Sequence, residues 1–320
     1  MLNQTERQSL EEVDLKGKTL HLAIGMFDGV HLGHQAVIEA AIHSARREGG
    51  TVGVLTFWPH PSVFFQSEKP TPLIMTPEIK TRFLRKLGVD LVIEQKFDDR
   101  FSAIPAEEFL PHLKKHLPTL QAIYVGENWR FGRGRKGDVS LLAAEGKKVG
   151  IHVISVHRVQ YDREPISSTR IRHAFFEGRI EEANSLLGHN YFSEGVVKEG
   201  KGLGRNLGFP TLNIPWTRDL RPRFGVYCVG VMPRDGAAGP LPGVANFGVR
   251  PTVTHEEQEP VLEIHLLTEE CPFSAGDHLV VEWLSFIRSE RKFDGVEALS
   301  EQIAKDCCEA KARLKHSLPK

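Results

Sequence analysis

The sequence predicts an α/β chain: a doubly wound parallel sheet, followed by a small antiparallel β-barrel with a C-terminal helix. Three observations carry this reading. From about residue 19 to 159, short apolar runs alternate with helical stretches. Beyond about 187 the chain becomes strand-like, with Gly and Pro punctuating it at short spacing. The length, 320 residues, divides into two domains at roughly 150 residues each. The expected domains are 1–187 and 188–320. Near-continuous apolar strands between helices mark a parallel sheet covered on both faces. Short strands at close spacing mark a barrel.

In the first half the strands are expected at 19–27, 51–57, 89–97, 121–126 and 150–159, with helices at 34–47, 77–87, 105–116 and 139–148. Thr76 before Pro77 reads as an N-cap followed by proline at the first helical position. Gly88 and the Gly49-Gly50 pair stand where helices stop. In the second half the strands are expected at 191–200, 211–215, 225–232, 243–250, 261–267 and 278–288. A final helix at about 295–315 carries Val296, Leu299, Ile303, Ala304 and Cys307 at helical spacing, a stripe expected to seal one end of the barrel.

Composition excludes several classes. Hydrophobic residues at 40% and charged residues at 26% are ordinary globular values, not those of a disordered or fibrous chain. Lys+Arg and Asp+Glu are both 41, so no global charge draws the chain to nucleic acid or an anionic membrane. The four cysteines show no metal-ligand spacing and read as reduced thiols. The first ten residues lack the basic and apolar regions of a secretory signal, and no apolar run approaches about 18 residues. A cytoplasmic chain without membrane or nucleic-acid partner is expected, as a monomer or weak homo-oligomer.

Two constellations carry chemistry. IGMFDGVHLGHQ (24–35) ends a strand and opens a helix. Gly25, Gly29 and Gly33 permit a tight turn and close approach of a ligand, while His31 and His34 fall beside the helix's unpaired N–H groups and positive dipole end. That arrangement suits a triphosphate; read alone, it is also a histidine-rich turn. GENWRFGRGRKGD (126–138) follows the fourth strand and offers Asn128 as an amide reader, with Arg130, Arg133, Arg135 and Lys136 as phosphate partners. SSTRIR (167–172) adds hydroxyls and arginines after the fifth. WPHPSVFF (58–65) stiffens an aromatic wall after the second strand, either a face for a flat ring system or part of the core.

The second constellation opens with GVVKEGKGLGRNLGFPTLNI (195–214), a loop rich in glycine with Gly200, Gly202, Gly204 and Gly208 plus Lys201 and Arg205. Such backbone can wrap phosphates or be a flexible hairpin. In PTLN (210–213), Thr211 and Asn213 are two apart, so on a strand both side chains share a face and present hard oxygens suited to Mg²⁺. Glu263, expected across the barrel in LEIHLL (262–267), could take a proton from an attacking hydroxyl or simply face outward.

These segments, in this order, resemble the bacterial bifunctional riboflavin kinase/FMN adenylyltransferase (FAD synthetase) family, from about residue 20 to 306. The resemblance implies an N-terminal FMN adenylyltransferase module of the HxGH nucleotidylyltransferase type and a C-terminal riboflavin kinase module. It implies that riboflavin is phosphorylated to FMN and FMN adenylylated to FAD, with ATP as co-substrate and Mg²⁺ at both sites. Within that pattern His31 and His34 contact ATP phosphates, in a loop that includes Gly25, Phe27, Asp28, Gly29 and Gly33. Asn128, Arg130, Ser167, Ser168, Thr169 and Arg172 line the same ATP site. Gly202, Gly204, Gly208 and Pro210 belong to the kinase's nucleotide loop, Thr211 and Asn213 bind Mg²⁺, and Glu263 is the catalytic base. Trp129 stands where phenylalanine is usual. Leu212 stands where alanine is usual, which predicts crowding near the metal, and 268–277 replaces the usual acidic turn. A flavin-binding protein without catalysis, a relative of the class I aminoacyl-tRNA synthetases, and a chain that keeps adenylylation with a weakened kinase are the rival readings. The three chemical residues His31, His34 and Glu263 speak against the first, and the barrel half against the second.

Overall fold

The computed structural model of the chain describes residues 7–65, 68–200, 203–236, 238–249 and 259–314. Two compact units divide between Ser168 and Thr169. The first contains β1 (Leu20–Ile24), α1 (Leu32–Glu48), β2 (Thr51–Trp58), α2 (Pro61–Phe65), α3 (Pro77–Lys86), β3 (Leu91–Lys96), α4 (Asp99–Ser102), α5 (Ala106–His116), β4 (Leu120–Gly126), α6 (Val139–Val149) and β5 (His152–Val156), then a hairpin of β6 (Gln160–Tyr161) and β7 (Glu164–Pro165). Thr76 does cap α3, its hydroxyl accepting from the Ile79 N–H, and α1 ends at Gly49 in the left-handed conformation. The small helices α2 and α4 were not expected: each is a single turn, too short for a periodicity to declare it.

The sheet order is β3-β2-β1-β4-β5, and every pair is parallel. Leu20, Leu22 and Ile24 of β1 join the layer formed with Phe109, Leu110 and Leu113 of α5 and Leu142 of α6. The opposite face is covered by α1, which buries Val37, Ile38, Ala41 and Ala45. Alternation along one strand therefore feeds two helical layers, the doubly wound arrangement. From β1 the chain winds outward to β2 and β3, then returns to β4 on the other side of β1 and continues to β5. The winding reverses between β1 and β4, and ligands of open α/β sheets bind outside the carboxyl ends of the strands at such a point.

The second unit takes in α7 (Ser168–Glu177) beyond its first residue, α8 (Ile180–Leu187), β8 (Tyr191–Val196), α9 (Leu203–Asn206), β9 (Leu212–Pro215), β10 (Gly225–Pro233), β11 (Leu241–Val249), β12 (Pro260–Leu266), β13 (His278–Ser289) and α10 (Val296–Leu314). Its strands run β8-β13-β10-β11-β12-β9, all antiparallel. A bridge between Lys198 and Asn213 joins the chain leaving β8 to β9, turning the sheet back on itself as a barrel. Inside lie Tyr191, Tyr227, Phe247 and Trp283, with the Trp283 indole N–H donating to Ser193 Oγ at 3.0 Å.

Helix α10 packs on the barrel's outer face through Cys307, Ala310 and Leu314 against Val226, Cys228 and Val244. The expected stripe is thus displaced toward the C-terminus. Val296 is 60% exposed and Ala304 lies in solvent, while Asp306 is buried because Arg288 pairs with it at 2.7 Å. An ion pair with a strand arginine, rather than another apolar turn, fixes the middle of this helix.

Candidate active sites

In the α/β unit the loop between β1 and α1 sits at the switch point. His31 is the N-cap of α1, and its Nδ1 accepts from the His34 N–H at 3.2 Å. A ring nitrogen that accepts carries no proton, so neutral His31 is the tautomer whose donor is Nε2–H. The His31 and His34 rings stack with centroids 3.5 Å apart, and Phe27 meets His34 edge-on at 5.3 Å. Gly33 is needed because a Cβ there would press on the His31 ring at 3.2 Å. A Cβ on Gly25 would press on Phe27 at 3.1 Å. Gly29 has φ +81°, and Phe27 and Val30 also have positive φ, so the loop's conformation is held rather than intrinsically preferred.

What holds it lies beneath. The buried Asp28 carboxylate accepts from the N–H groups of Ile74 and Met75, at 2.9 and 3.1 Å. Lys80 Nζ donates to the Met26 carbonyl at 3.1 Å and to Thr56 Oγ1 at 2.8 Å. Thr56 in turn donates to the same carbonyl at 3.0 Å. Burial drives the Lys80 pKa down to about 8, with Asp28 and Glu94 pulling it up. Sequence reasoning missed Lys80 and Thr56. Ser168 was expected here, and its hydroxyl donates to the Asp28 carbonyl at 2.9 Å.

The neighbouring strand β4 delivers the second expected loop. Asn128 is exposed just past the strand's end. Arg130 is exposed too, 3.6 Å from the Asp138 carboxylate that caps α6. Phe131 and Gly137 exchange two backbone hydrogen bonds, and Trp129 stacks on Phe131 at 4.8 Å, so this basic loop is anchored through its aromatic residues. Trp129 takes up the room of the larger ring against Phe109. Gly132 has φ +71°, and a Cβ there would lie 2.6 Å from Ala106 Cα. Thr169 and Arg172 are one helical turn apart on α7 and belong to the second compact unit. The aromatic wall divides: Phe57 is core, whereas Trp58, Phe64 and Phe65 are exposed, and Phe64 and Phe65 both pack edge-on against Phe97. His60 caps α2, accepting from the Ser62 N–H at 3.1 Å.

In the barrel unit, strand register makes the site. Asn213 pairs directly with Glu263, and Glu263 with Asn246. Directly opposed residues share a face, so Glu263 is on the adjacent strand from Asn213, not across the barrel as expected. That face is the outer one: along β12 the buried residues are Pro260, Leu262, Ile264 and Leu266, while Val261, Glu263 and His265 alternate outward. Extending the register puts Thr211 beside His265, whose Nδ1 lies 3.0 Å from the Pro210 carbonyl. Leu212 is buried and paired with Ile264, pointing into the core. Leu212 therefore faces away from the side that carries Asn213 and Glu263, since neighbours on a strand face opposite ways. The 268–277 turn is closed by Asp277, which accepts from the Ser274 N–H at 2.8 Å, and it is tied to the chain leaving β8 by backbone hydrogen bonds of Gly276 and Asp277 with Val197, both 2.9 Å.

Glycines shape the approach to this face. A Cβ on Gly200 would collide with the Asn213 amide, and one on Gly204 with the Phe209 carbonyl and, at 3.3 Å, Thr211. Gly208 has φ +82°. Gly202 and Lys201 lie outside the described residues. A hydroxyl, an amide oxygen and a carboxylate on one face are the hard donors that Mg²⁺ accepts, and the glycine cradle keeps side chains off them. The residues present fit that ion. Among the described residues no cluster of three His, Cys, Asp or Glu forms a separate metal site.

Both halves match known families. Residues 15–170 match the FAD synthetase family model and 187–314 the riboflavin kinase model. The bifunctional riboflavin kinase/FMN adenylyltransferase of Escherichia coli (strain K12) is 39% identical over 89% of this chain and 90% of its own length. Its counterpart in Bacillus subtilis (strain 168) is 36% identical over 90% of each. The chain belongs to the bifunctional riboflavin kinase/FMN adenylyltransferase family. A crystal structure described as a macrolide-efflux protein from Streptococcus pneumoniae also superposes on this chain, at TM-score 0.84 and 28% identity, over 95% of this chain and 97% of that one. Among the described residues of the present family member, no helix is long and apolar enough to cross a membrane.

Proposed function

We propose that this chain phosphorylates riboflavin to FMN on the barrel and adenylylates FMN to FAD on the α/β unit, with ATP consumed at both. The carrying observation is that each family match contains the centre of one constellation: 15–170 the His31–His34 loop at the switch point, 187–314 the Asn213–Glu263 pair.

On the barrel, Glu263 accepts the proton of the ribityl 5′-hydroxyl as that oxygen bonds to the γ-phosphorus of ATP, and the bond to the bridging oxygen breaks to release ADP. Thr211 and Asn213 would hold Mg²⁺, which neutralises charge on the phosphate oxygens. The loop with Gly204, Gly208 and Pro210 brings backbone close to the nucleotide. On the α/β unit the attacking group is the FMN phosphate, already an anion, so no base is required. The work is charge stabilisation: the FMN oxygen bonds to the α-phosphorus and pyrophosphate leaves. His31 Nε2–H, His34 and the first N–H groups of α1 donate to the phosphates. Asn128 and Arg130 approach from the neighbouring loop, with Ser167 and Ser168. Thr169 and Arg172 are assigned to ATP on the family resemblance. Trp58, Phe64 and Phe65 offer the exposed aromatic face for the flavin ring.

We further propose that the catalytic division falls at 187/188, although the compact units part at Ser168–Thr169 and the second family match begins at 187. The chain is read as a cytoplasmic monomer or weak homo-oligomer that engages neither nucleic acid nor membrane, in keeping with its zero formal charge. A chromatographic time course with ATP, Mg²⁺ and either riboflavin or FMN tests the function. FMN followed by FAD from riboflavin is expected. FAD from FMN alone would remove the kinase assignment, and flavin binding without product would leave a binding protein.

A further inference from the structure

The polar junction beneath the β1–α1 loop has no place in the chemistry above, yet it is among the most expensive features of the unit. Lys80 is only 6% exposed. It rises from the buried side of α3, beside Pro77, Thr81 and Leu84. Its two hydrogen bonds, with the one Thr56 donates, close a triangle of Lys80 Nζ, Thr56 Oγ1 and the Met26 carbonyl. The triangle joins three elements: the loop that carries Asp28 and His31, strand β2 one residue before Phe57 and two before Trp58, and α3. The segment just before α3 grips the same loop a second time, through Ile74, Met75 and the Asp28 carboxylate. Burying an ammonium is costly, and here its hydrogen bonds offset part of that cost by tying the loop, β2 and α3 together. A methionine would fill the space without the desolvation.

We infer that Lys80 is a positioning residue for adenylyl transfer, tying the phosphate-contacting loop to the strand that presents the aromatic wall. The inference rests on the adenylyltransferase reading of this site. Phe27 and Val30 adopt positive φ within the tethered loop, so releasing the Met26 carbonyl lets Phe27 relax and shifts the His34 ring that packs against it. A displacement of about 1 Å at a reacting centre costs roughly a hundredfold in rate. A purely structural lysine predicts something else: loss of folded α/β unit, so that adenylylation falls only in proportion to the folded fraction and the rate per folded chain is unchanged.

The test uses the full chain with Lys80→Met, Thr56→Val, Thr56→Ser and the double variant K80M/T56V. FMN adenylylation and riboflavin phosphorylation are measured on the same preparations, and each adenylylation rate is expressed per folded chain from the urea melt of that variant. The expected result is a fall in adenylylation kcat of about tenfold or more for Lys80→Met and Thr56→Val, with kinase rates within about twofold. Thr56→Ser, which keeps the hydroxyl, recovers most of the loss, and the double variant falls no further than the worse single one, because both remove one unit. An unchanged ratio of the two activities in both single variants overturns the inference, as does Thr56→Ser falling as far as Thr56→Val. If Lys80→Met does not fold, the Thr56 pair decides by the same criterion. A wild-type chain that makes FMN from riboflavin but no FAD from FMN would instead overturn the adenylyltransferase reading, and the role of Lys80 with it.

Discussion

The two sites of this chain are built on opposite principles. At the switch point the loop proposed to bind the phosphates has several positive-φ residues, and its shape is enforced from below by a buried lysine, a threonine hydroxyl and an aspartate turned toward backbone N–H groups. On the barrel no comparable clamp is needed. Asn213 and Glu263 stand on paired strands, so the hydrogen-bond ladder itself sets their spacing, and Thr211 directly precedes β9. A loop site can be shaped freely but must be held. A strand site is held already, and the loop that packs closely on it can do so because Gly200 and Gly204 carry no Cβ.

The largest effects should come from exchanging one functional group at each site. Glu263→Gln keeps the shape and removes the proton acceptor, so FMN formation should fall about 10²–10⁴-fold, the usual contribution of a general base. Adenylylation of supplied FMN should stay within about twofold. His31→Ala removes a donor to the phosphates, so adenylylation should fall about 10²–10³-fold while the kinase persists. Initial rates from riboflavin and from FMN measure both. If either variant loses both activities while its circular dichroism is retained, the two sites are not independent.

The next effect separates a clamped site from an unclamped one by pH. Folding lowers the Lys80 pKa from an ordinary 10.5 to about 8, chiefly by desolvation, with Arg7 adding to that and Asp28 and Glu94 opposing it. That gap is worth about 3 kcal/mol, a penalty fully present below pH 8. Between pH 8 and 10.5 the unfolded chain binds more protons than the folded one, so stability rises with pH. Wild type should therefore gain on Lys80→Met over that window, by about a hundredfold in the folding equilibrium constant. Urea unfolding of both proteins at several pH values measures it, and a difference that stays flat or falls would remove the buried ammonium. No such gain is expected from the barrel, where the buried indole–hydroxyl bond of Trp283 and Ser193 is neutral.

The same contrast explains what the sequence disclosed. The fold was legible because its periodicities are clean: five apolar strands alternate with helices, and then Gly and Pro mark out an antiparallel barrel. The barrel residues were legible because Thr211 and Asn213, two apart, must share a face. The pairing of Glu263 with Asn213 was not, because register between strands distant in sequence is written in no local pattern. The clamp was hidden for another reason. Lys80 bonds to a main-chain carbonyl, which leaves no mark in a sequence, and its one sign is a lysine among the buried positions Pro77, Lys80, Thr81 and Leu84 of α3. Val296 misled in the opposite sense: apolar and in phase, it sits on a helical turn with nothing to cover it.

A smaller effect probes the close packing of the loop on the strand site. Gly200→Ala would drive a methyl group into the Asn213 amide. Asn213 is pinned by its ladder, and its backbone carbonyl accepts from the Lys198 N–H at 2.8 Å. The loop must therefore yield, and about a tenfold loss in kinase kcat is expected from misplacement of well under 1 Å. Adenylylation serves as the internal reference. A kinase rate equal to wild type would mean that the loop has room to withdraw, and that the glycine serves the turn rather than the cradle.

The smallest effect should come from the residue that the motif alone makes suspect. Leu212 lies between Thr211 and Asn213, and a reading by adjacency places its bulk at the metal. By alternation it faces Ile264 in the core instead. Leu212→Ala therefore tests whether adjacency or strand geometry governs this site. Geometry predicts a kinase kcat, and an apparent Mg²⁺ requirement, within about twofold of wild type, because Thr211 and Asn213 keep their face. The cost should appear in stability, at about 2–5 kcal/mol for a buried leucine truncated to alanine. Activity assayed well below the transition, beside a urea melt, separates the two. A kinase that speeds up or changes its Mg²⁺ dependence without losing stability would place Leu212 at the metal. The outer face of β9 would then no longer be set by register alone.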